Sequence, residues 1–485
     1  MSEKPLIDRL FENPVLRQNI EKVLAFGQRS DDAAMRYKPL LGAAVDAMHH
    51  MATLQDALSV IHRFQRLNDV ITMGLEHDDS VFAAINDAKH FPLWDQFATF
   101  DVPESDLDFY ARTMASGDPQ WRSPVLLRAA DYTRGLTEKI LQHLLQKDSV
   151  VHVGIADSLF QRRLLHAMNA EKAVQYGEHA AALYIISERT ISVMANNPSI
   201  AYVDQPVAED VSTAYQGSWM KTRRTNVPSQ FFTLTYVPTP EDAALDGMDY
   251  DTYRTMFMAA VRVNPVDQDR ANRILIAKLN AASIVHITNN DGTDVTFDIT
   301  GQTFANSLSN RNVPGSEVFS SPLLHSAKGR IVAKGRFMPM AADQIIEDIT
   351  IDLQDGLIVS YDAAKGREYL EQMIETDEGS KRIGELAFGT NPAWQDHSVN
   401  GLLVEKIGRS FHFAIGGAYR ETEYMGEPVK LDNGNRSDVH WDITTMLHNK
   451  DGMIALDGVP IMQHGRYLDE GLEFLNGNAS LPSPQ

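Results

Sequence analysis

The stretch Arg409–Asp442 gathers two histidines, a tyrosine and an aspartate in a segment that reads as strand, loop and strand. In its closing His440-Trp441-Asp442 the first and third residues are two apart, and on an extended strand such residues project from one face. The opening His412-Phe413-Ala414-Ile415-Gly416-Gly417 is apolar around one imidazole and ends in a glycine pair suited to a turn or a close backbone approach. Imidazole and carboxylate on rigid strands are the donor types of a metal site. Two half-buried structural histidines would give the same pattern, so this stretch alone leaves both readings open.

Three upstream carboxylates bear on the choice. Glu317 follows Pro314-Gly315, where the backbone is stiff and exposed; Glu385 lies between glycines and apolar residues in Gly384–Pro392; Glu405 closes the run Leu402-Leu403-Val404. A lone glutamate in an apolar run is costly unless paired or metal-bound. Taken singly, each also fits a surface charge or a salt-bridge partner. Tyr419 lies seven residues beyond His412, just past the glycine pair. Asn435 and Ser437 read either as groups that orient ligands or as turn residues after Asn433-Gly434.

The elements that must position these groups follow from composition and pattern. A chain of 485 residues with 43% hydrophobic content can bury a sizeable core and should hold two or three domains. Its 44 Lys+Arg against 65 Asp+Glu give a formal charge of −21 with no basic run, which argues against nucleic-acid or anionic-membrane partners. With 0 cysteines it has no disulfides, thiol nucleophiles, Cys-zinc sites or iron–sulfur clusters, so any metal must sit on His, Asp, Glu or water. The N-terminus lacks the apolar core of a signal peptide and no window approaches ~18 apolar residues, which makes the cytoplasm the expected compartment. There is no GxGxxG, P-loop or GxSxG elbow.

Three regions are expected along the chain. Residues 1–125 read as a helical extension: Leu54, Leu58, Ile61, Phe64, Leu67 and Ile71 recur at spacings of three and four, and Asp31-Asp32 should start an earlier helix bearing Leu40, Leu41, Ala44, Val45 and Met48. The adjacent His49 and His50 cannot share a helix face and read as structural. Residues 126–287 read as an α/β domain with a largely parallel sheet, with strands expected at Val150–Ile155, Ala182–Ile186 and Phe231–Tyr236. Residues 288–485 read as an antiparallel-rich α+β domain. A hairpin turns at Asn289–Gly292, strands follow near 329–337, 346–353 and 356–360, and one helix spans about 365–376.

Four blocks in the last region, NVPGSEVFSSP, GELAFGTNP, FHFAIGGAY and NRSDVHWDI, resemble in order the motif set of the aminopeptidase T / aminopeptidase S family of dinuclear metallo-aminopeptidases. The resemblance covers the whole of that region, extends loosely over the α/β segment and leaves residues 1–125 without a counterpart. It implies a homodimeric peptidase with two divalent ions (zinc, cobalt, manganese or magnesium) that removes single residues from peptides with a free N-terminus. By motif, Glu317, Glu385, His412, His440 and Asp442 are the implied ligands, with Glu385 bridging, and Tyr419 is the implied catalytic tyrosine. A further family glutamate usually stands five residues before the first histidine. Ile407 holds that place here, and Glu405, seven before His412, is the substitute across what resembles a small insertion, Lys406-Ile407-Gly408.

If Glu317, Glu385, Glu405 and Asp442 converge, like charges cannot all stay ionised without cations, and two divalent ions would cancel all four. Such a pair activates water and clamps attacking and leaving oxygens. Tyr419 would donate to the developing oxyanion, and Glu317 or Glu385 would move the proton to the leaving amine. Two rivals remain open: a ring-cleaving dioxygenase holding one ferrous ion on His412, His440 and Asp442, and a retired scaffold whose helical extension binds a partner.

Overall fold

The computed structural model describes residues 5–130, 132–195, 206–226, 231–338 and 345–477. The chain divides into two compact units, Met1–Glu241 and Asp242–Gln485.

In the first unit, helices precede and flank a parallel sheet. The helix Leu54–Thr72 starts at a capping box, the Thr53 hydroxyl accepting from the Asp56 N–H while the Asp56 carboxylate accepts from the Thr53 N–H. Asp31 caps the helix Asp32–His49, and His49 and His50 at its end are exposed. Strands β1 (Val125–Ala130), β2 (Val151–Ala156), β3 (Arg189–Ala195) and β4 (Phe231–Val237) run parallel in the order β2-β1-β3-β4. One apolar core joins Phe64 and Leu67 of the early helices to Phe160, Leu164 and Tyr176. For that reason the helical extension expected at 1–125 is not separate from the sheet: its apolar stripe is the cover the sheet-flanking helices need. The strand expected at Ala182–Ile186 is instead the end of the helix Ala170–Ile185, which buries Ala173, Tyr176, Ala181 and Tyr184 at helical spacing. A short apolar run does not by itself tell a strand from a helix.

The second unit begins well before the expected 287/288 boundary. Its helix Pro265–Ala281 buries Ala271, Leu275 and Leu279 in the core of the strands that follow. Those strands are β5 (Ile284–Thr288), β6 (Asp294–Asp298), β7 (Ala305–Ser307), β8 (Glu317–Ser320), β9 (Lys328–Phe337), β10 (Ile346–Gln354), β11 (Leu357–Lys365), β12 (Ile383–Gly389) and β13 (Ser410–Gly416). After them come the short pair β14 (Glu423–Tyr424) and β15 (Glu427–Pro428), then β16 (His440–Met446), β17 (Met453–Leu456), β18 (Val459–Gln463) and β19 (Arg466–Tyr467). The expected hairpin is β5–β6, with Gly292 at φ 107° in its turn. An eight-stranded sheet runs β11-β10-β9-β6-β5-β17-β18-β19 and a five-stranded one β16-β13-β12-β8-β7. Both supply one shared core, with Phe297, Ile331 and Ile349 from the first and Leu386, Phe413 and Ile443 from the second. The helix expected near 365–376 is Arg367–Ile374.

Candidate metal centre

Strand periodicity decides which side chains meet. On β13, Phe411, Phe413 and Ile415 enter the core, so His412 and Ala414 face the other way. On β12, Leu386 and Phe388 enter the core and leave Glu385 and Ala387 on that opposite face. On β16, Trp441 and Ile443 do the same for His440 and Asp442, and on β8 Val318 does so for Glu317. Register then aligns the strands: Ala414 pairs with Glu385 on one side and Asp442 on the other, and His412 pairs with Ala387. Two small alanines thus lie among the polar groups, leaving room for long side chains to lean together above them.

The backbone between these strands is tightly fitted. A Cβ on Gly384 would lie 2.2 Å from the Gly416 carbonyl oxygen, so the residue before Glu385 must be glycine for β12 to approach the end of β13. Gly416 itself adopts φ 101°, which a side chain would disfavour. Asn435 holds this turn, its Nδ2 donating to the Gly416 carbonyl at 2.5 Å and the Gly379 carbonyl at 2.9 Å. Ser437 donates to Asp377 at 2.9 Å. Both residues therefore brace the turn rather than touch the candidate ligands. On the other side, Ser316 exchanges a hydrogen bond with Thr390 at 2.9 Å and accepts one from Asn272 at 2.8 Å, fixing the start of β8 at Glu317.

The polar groups fall into two sets, Glu317–Glu385–His412 and Glu385–His440–Asp442, and within each set the donor atoms lie within 4.8 Å of one another. Glu385 belongs to both. His412 Nε2 lies 3.3 Å from Glu317 Oε2 and 3.7 Å from Glu385 Oε1; His440 Nε2 lies 3.2 Å from Glu385 Oε2 and 3.8 Å from Asp442 Oδ2. These approaches are close without hydrogen-bond alignment: Glu317 Oε2, Glu385 Oε2 and Asp442 Oδ1 are buried and accept no hydrogen bond. Buried carboxylate oxygens without donors are rare and costly. Lone pairs that converge without meeting a donor fit a cation set between them. His440 Nδ1 lies 2.7 Å from the Gly417 carbonyl oxygen, so Nδ1 carries a proton and Nε2 is the ring atom turned to the site, where a cation would replace its proton. The residues present therefore fit divalent ions.

Electrostatics agree. Burial pushes Glu385 up, but His412 and His440 pull it down to about 2. Burial pushes both histidines down, yet the carboxylates against them hold each at about 10. Positive charge is what this face demands. Tyr419 is half-buried with its ring 5.2 Å from that of His440 and 5.0 Å from that of Phe319. Burial, then the Glu385 and Asp442 carboxylates, keep its hydroxyl protonated well above the usual tyrosine range.

Two sequence expectations change. Glu405 stands in neither set; its Oε2 accepts from Lys406 Nζ at 2.6 Å. The expected triad His412–His440–Asp442 is likewise not one group among the described residues, because the two histidines belong to different sets. Lys406, read from sequence as part of an insertion, is fully buried and its Nζ also donates to Glu317 Oε1 at 2.6 Å. The available signal was a lysine inside an otherwise apolar run beside a glutamate.

Residues 105–467 match the thermophilic metalloprotease (M29) family. The chain belongs to that family. Among curated relatives, this M29 chain is 33% identical to Aminopeptidase T of Thermus aquaticus over 171 residues, 33% of this chain and 41% of that protein. It is 31% identical to Aminopeptidase AmpS of Bacillus subtilis (strain 168) over 172 residues, 32% of this chain and 40% of that protein. The M29 chain thus spans about two fifths of the length of the curated relatives it matches. Wild-type AmpT from Thermus thermophilus shares the fold, with a TM-score of 0.59 at 19% identity over 74% of this chain and 99% of that one. Among the described residues no helix is long and apolar enough to cross a membrane.

Proposed function

We propose that this chain is a metal-dependent aminopeptidase that hydrolyses the first peptide bond of peptides with a free N-terminus, using two divalent ions. The observation that carries this is the sharing of Glu385 between two three-residue donor sets. The relatives' aminopeptidase names supply the reaction class. Imidazole mixed with carboxylate suits zinc, cobalt or manganese. When bound, such ions supply Lewis acidity and make water nucleophilic near neutral pH.

The remaining roles fall to side chains. Glu317, Glu385, His412, His440 and Asp442 would hold the ions, Glu385 standing in both donor sets. Tyr419, kept protonated, donates to the scissile carbonyl oxygen as it gains charge. Glu317 or Glu385 takes the proton released by water and returns it to the leaving amine.

The test is hydrolysis of a short peptide panel, free or N-acetylated, by chelator-stripped and metal-restored protein. Release of the first residue only from free peptides, and only with metal, is expected. Equal cleavage of acetylated peptides, or activity that survives chelation, defeats the reading. One oxygen-sensitive iron per chain, with ring cleavage instead, would establish the dioxygenase.

A further inference from the structure

Lys406 changes the charge balance of the site. Its ammonium lies 2.6 Å from Glu317 Oε1 and 2.6 Å from Glu405 Oε2, with the side chain 0% exposed. The segment carrying it is pinned: the Lys406 N–H donates to the Leu403 carbonyl at 3.0 Å, and its own carbonyl accepts from Asn391 at 3.1 Å. The Gly408 N–H donates to the Trp394 carbonyl at 2.7 Å. Lys406 is thus as fixed as a ligand.

Glu405, engaged by this ammonium, belongs to neither donor set. Glu317 is divided: Oε1 is committed to Lys406, while Oε2 faces His412 at 3.3 Å. The sets are therefore unequal. Among the described residues no lysine or arginine pairs with Glu385 or Asp442, whereas in Glu317–Glu385–His412 one carboxylate already carries the Lys406 ammonium. An ion at the Glu317 set meets the like charge of Lys406 across a single carboxylate, in a buried setting where repulsion is weakly screened.

We propose that Lys406 is a built-in cation of this centre. It withdraws Glu405 from coordination, limits Glu317 to one coordinating oxygen, and makes Glu317–Glu385–His412 the weaker and exchangeable of two ion positions. Glu385–His440–Asp442 is the tight one. This rests on the divalent-metal reading above and deepens it.

The experiment is calorimetric titration of the metal-stripped full chain with manganese chloride. Wild type, Asp442→Asn, Glu317→Gln and the double variant Glu405→Gln/Lys406→Met, which removes the ion pair together, are compared. In wild type the two steps are expected to differ at least about tenfold in dissociation constant, the scale on which neighbouring groups tune metal affinity. Asp442→Asn should abolish the tight step and Glu317→Gln the weak one. The double variant should tighten the weak step at least about tenfold and move the tight step less than about threefold. A second wild-type step too weak to detect also supports the proposal, provided Asp442→Asn removes the tight one. Two equal steps in wild type, loss of the tight step in Glu317→Gln, or an unchanged ratio in a folded double variant overturns it. Should circular dichroism show the double variant unfolded, wild type and the two single variants still decide. No manganese binding by wild type at all defeats the metal reading itself, a different outcome from two equal sites.

Discussion

Tyr419→Phe separates chemistry from architecture at this centre. The tyrosine ring packs against His440 at 5.2 Å and Phe319 at 5.0 Å, and phenylalanine preserves both contacts. Only the hydroxyl is lost, and it is a protonated donor, because burial and the neighbouring carboxylates hold it well above the usual range. In the proposed mechanism that donor acts as the carbonyl oxygen gains charge, so its loss is felt in the transition state more than in the bound substrate. Removing one such donor costs about 2.7–4 kcal/mol, or about 100- to 1000-fold in kcat. The assay is steady-state hydrolysis of an aminoacyl chromogenic substrate at saturating metal, alongside metal content by mass spectrometry and thermal melting. Metal content should be unchanged, Tm nearly so, and KM within about threefold, since uniform binding is not what is lost. A fall in kcat of less than about threefold would refute the oxyanion role on this scale. So would a large fall matched by equal loss of metal, which would make Tyr419 a structural support.

Three further outcomes are expected. Glu385→Gln should strip both ion positions in a metal assay, whereas Asp442→Asn should strip one; equal losses would break the claim that Glu385 is shared. Ala414→Leu, between Glu385 and Asp442 in register, should fill the space those carboxylates need and abolish metal binding, with a stability cost of about 1–3 kcal/mol. Metal content like that of wild type would show that the alanine row is incidental. His397, its Nε2 buried without a hydrogen bond and its ring 4.9 Å from that of Phe337, is pushed down by burial to about 4 from 6.5. Below its unfolded pKa the unfolded chain takes the proton first, so stability is lost as pH falls from 6.5 towards 4. Linkage puts the loss at about 2 kcal/mol between pH 7 and pH 5. Denaturant unfolding of His397→Leu should show a pH dependence smaller by that amount, and identical slopes would contradict it.

Where sequence periodicity was long or alternation clean, the elements were readable. The Leu54–Thr72 stripe, the β5–β6 hairpin and the His440-Trp441-Asp442 alternation all declared their faces. The convergence of Glu317, Glu385, His412, His440 and Asp442 could be expected only through motif resemblance, because register across four strands is a long-range property that no local spacing encodes. The misread run at Ala182–Ile186 shows the same limit at short range: five apolar residues fit a strand or the last turn of a helix, and Tyr176 and Ala181 decide it. The expected division at 287/288 followed the change from helix to strand, but burial of Leu275 and Leu279 placed the preceding helix with the strands. Lys406 left only a weak signal, for a different reason. A lysine beside a glutamate normally reads as solvated, and only the pinned 400–408 segment turns it inward.

Over Glu385–Phe388 of β12, Phe411–Ile415 of β13 and His440–Ile443 of β16, apolar side chains that enter the core alternate with polar or small ones on the opposite face. Adding or deleting a single residue inside any of them would exchange the two sides, burying an imidazole or carboxylate in the oily layer and turning phenylalanines outward. The connection 390–409, which holds Glu405 and Lys406, carries no such alternation, so a change of length there would alter the partners of Glu317 without exchanging the faces of the strands.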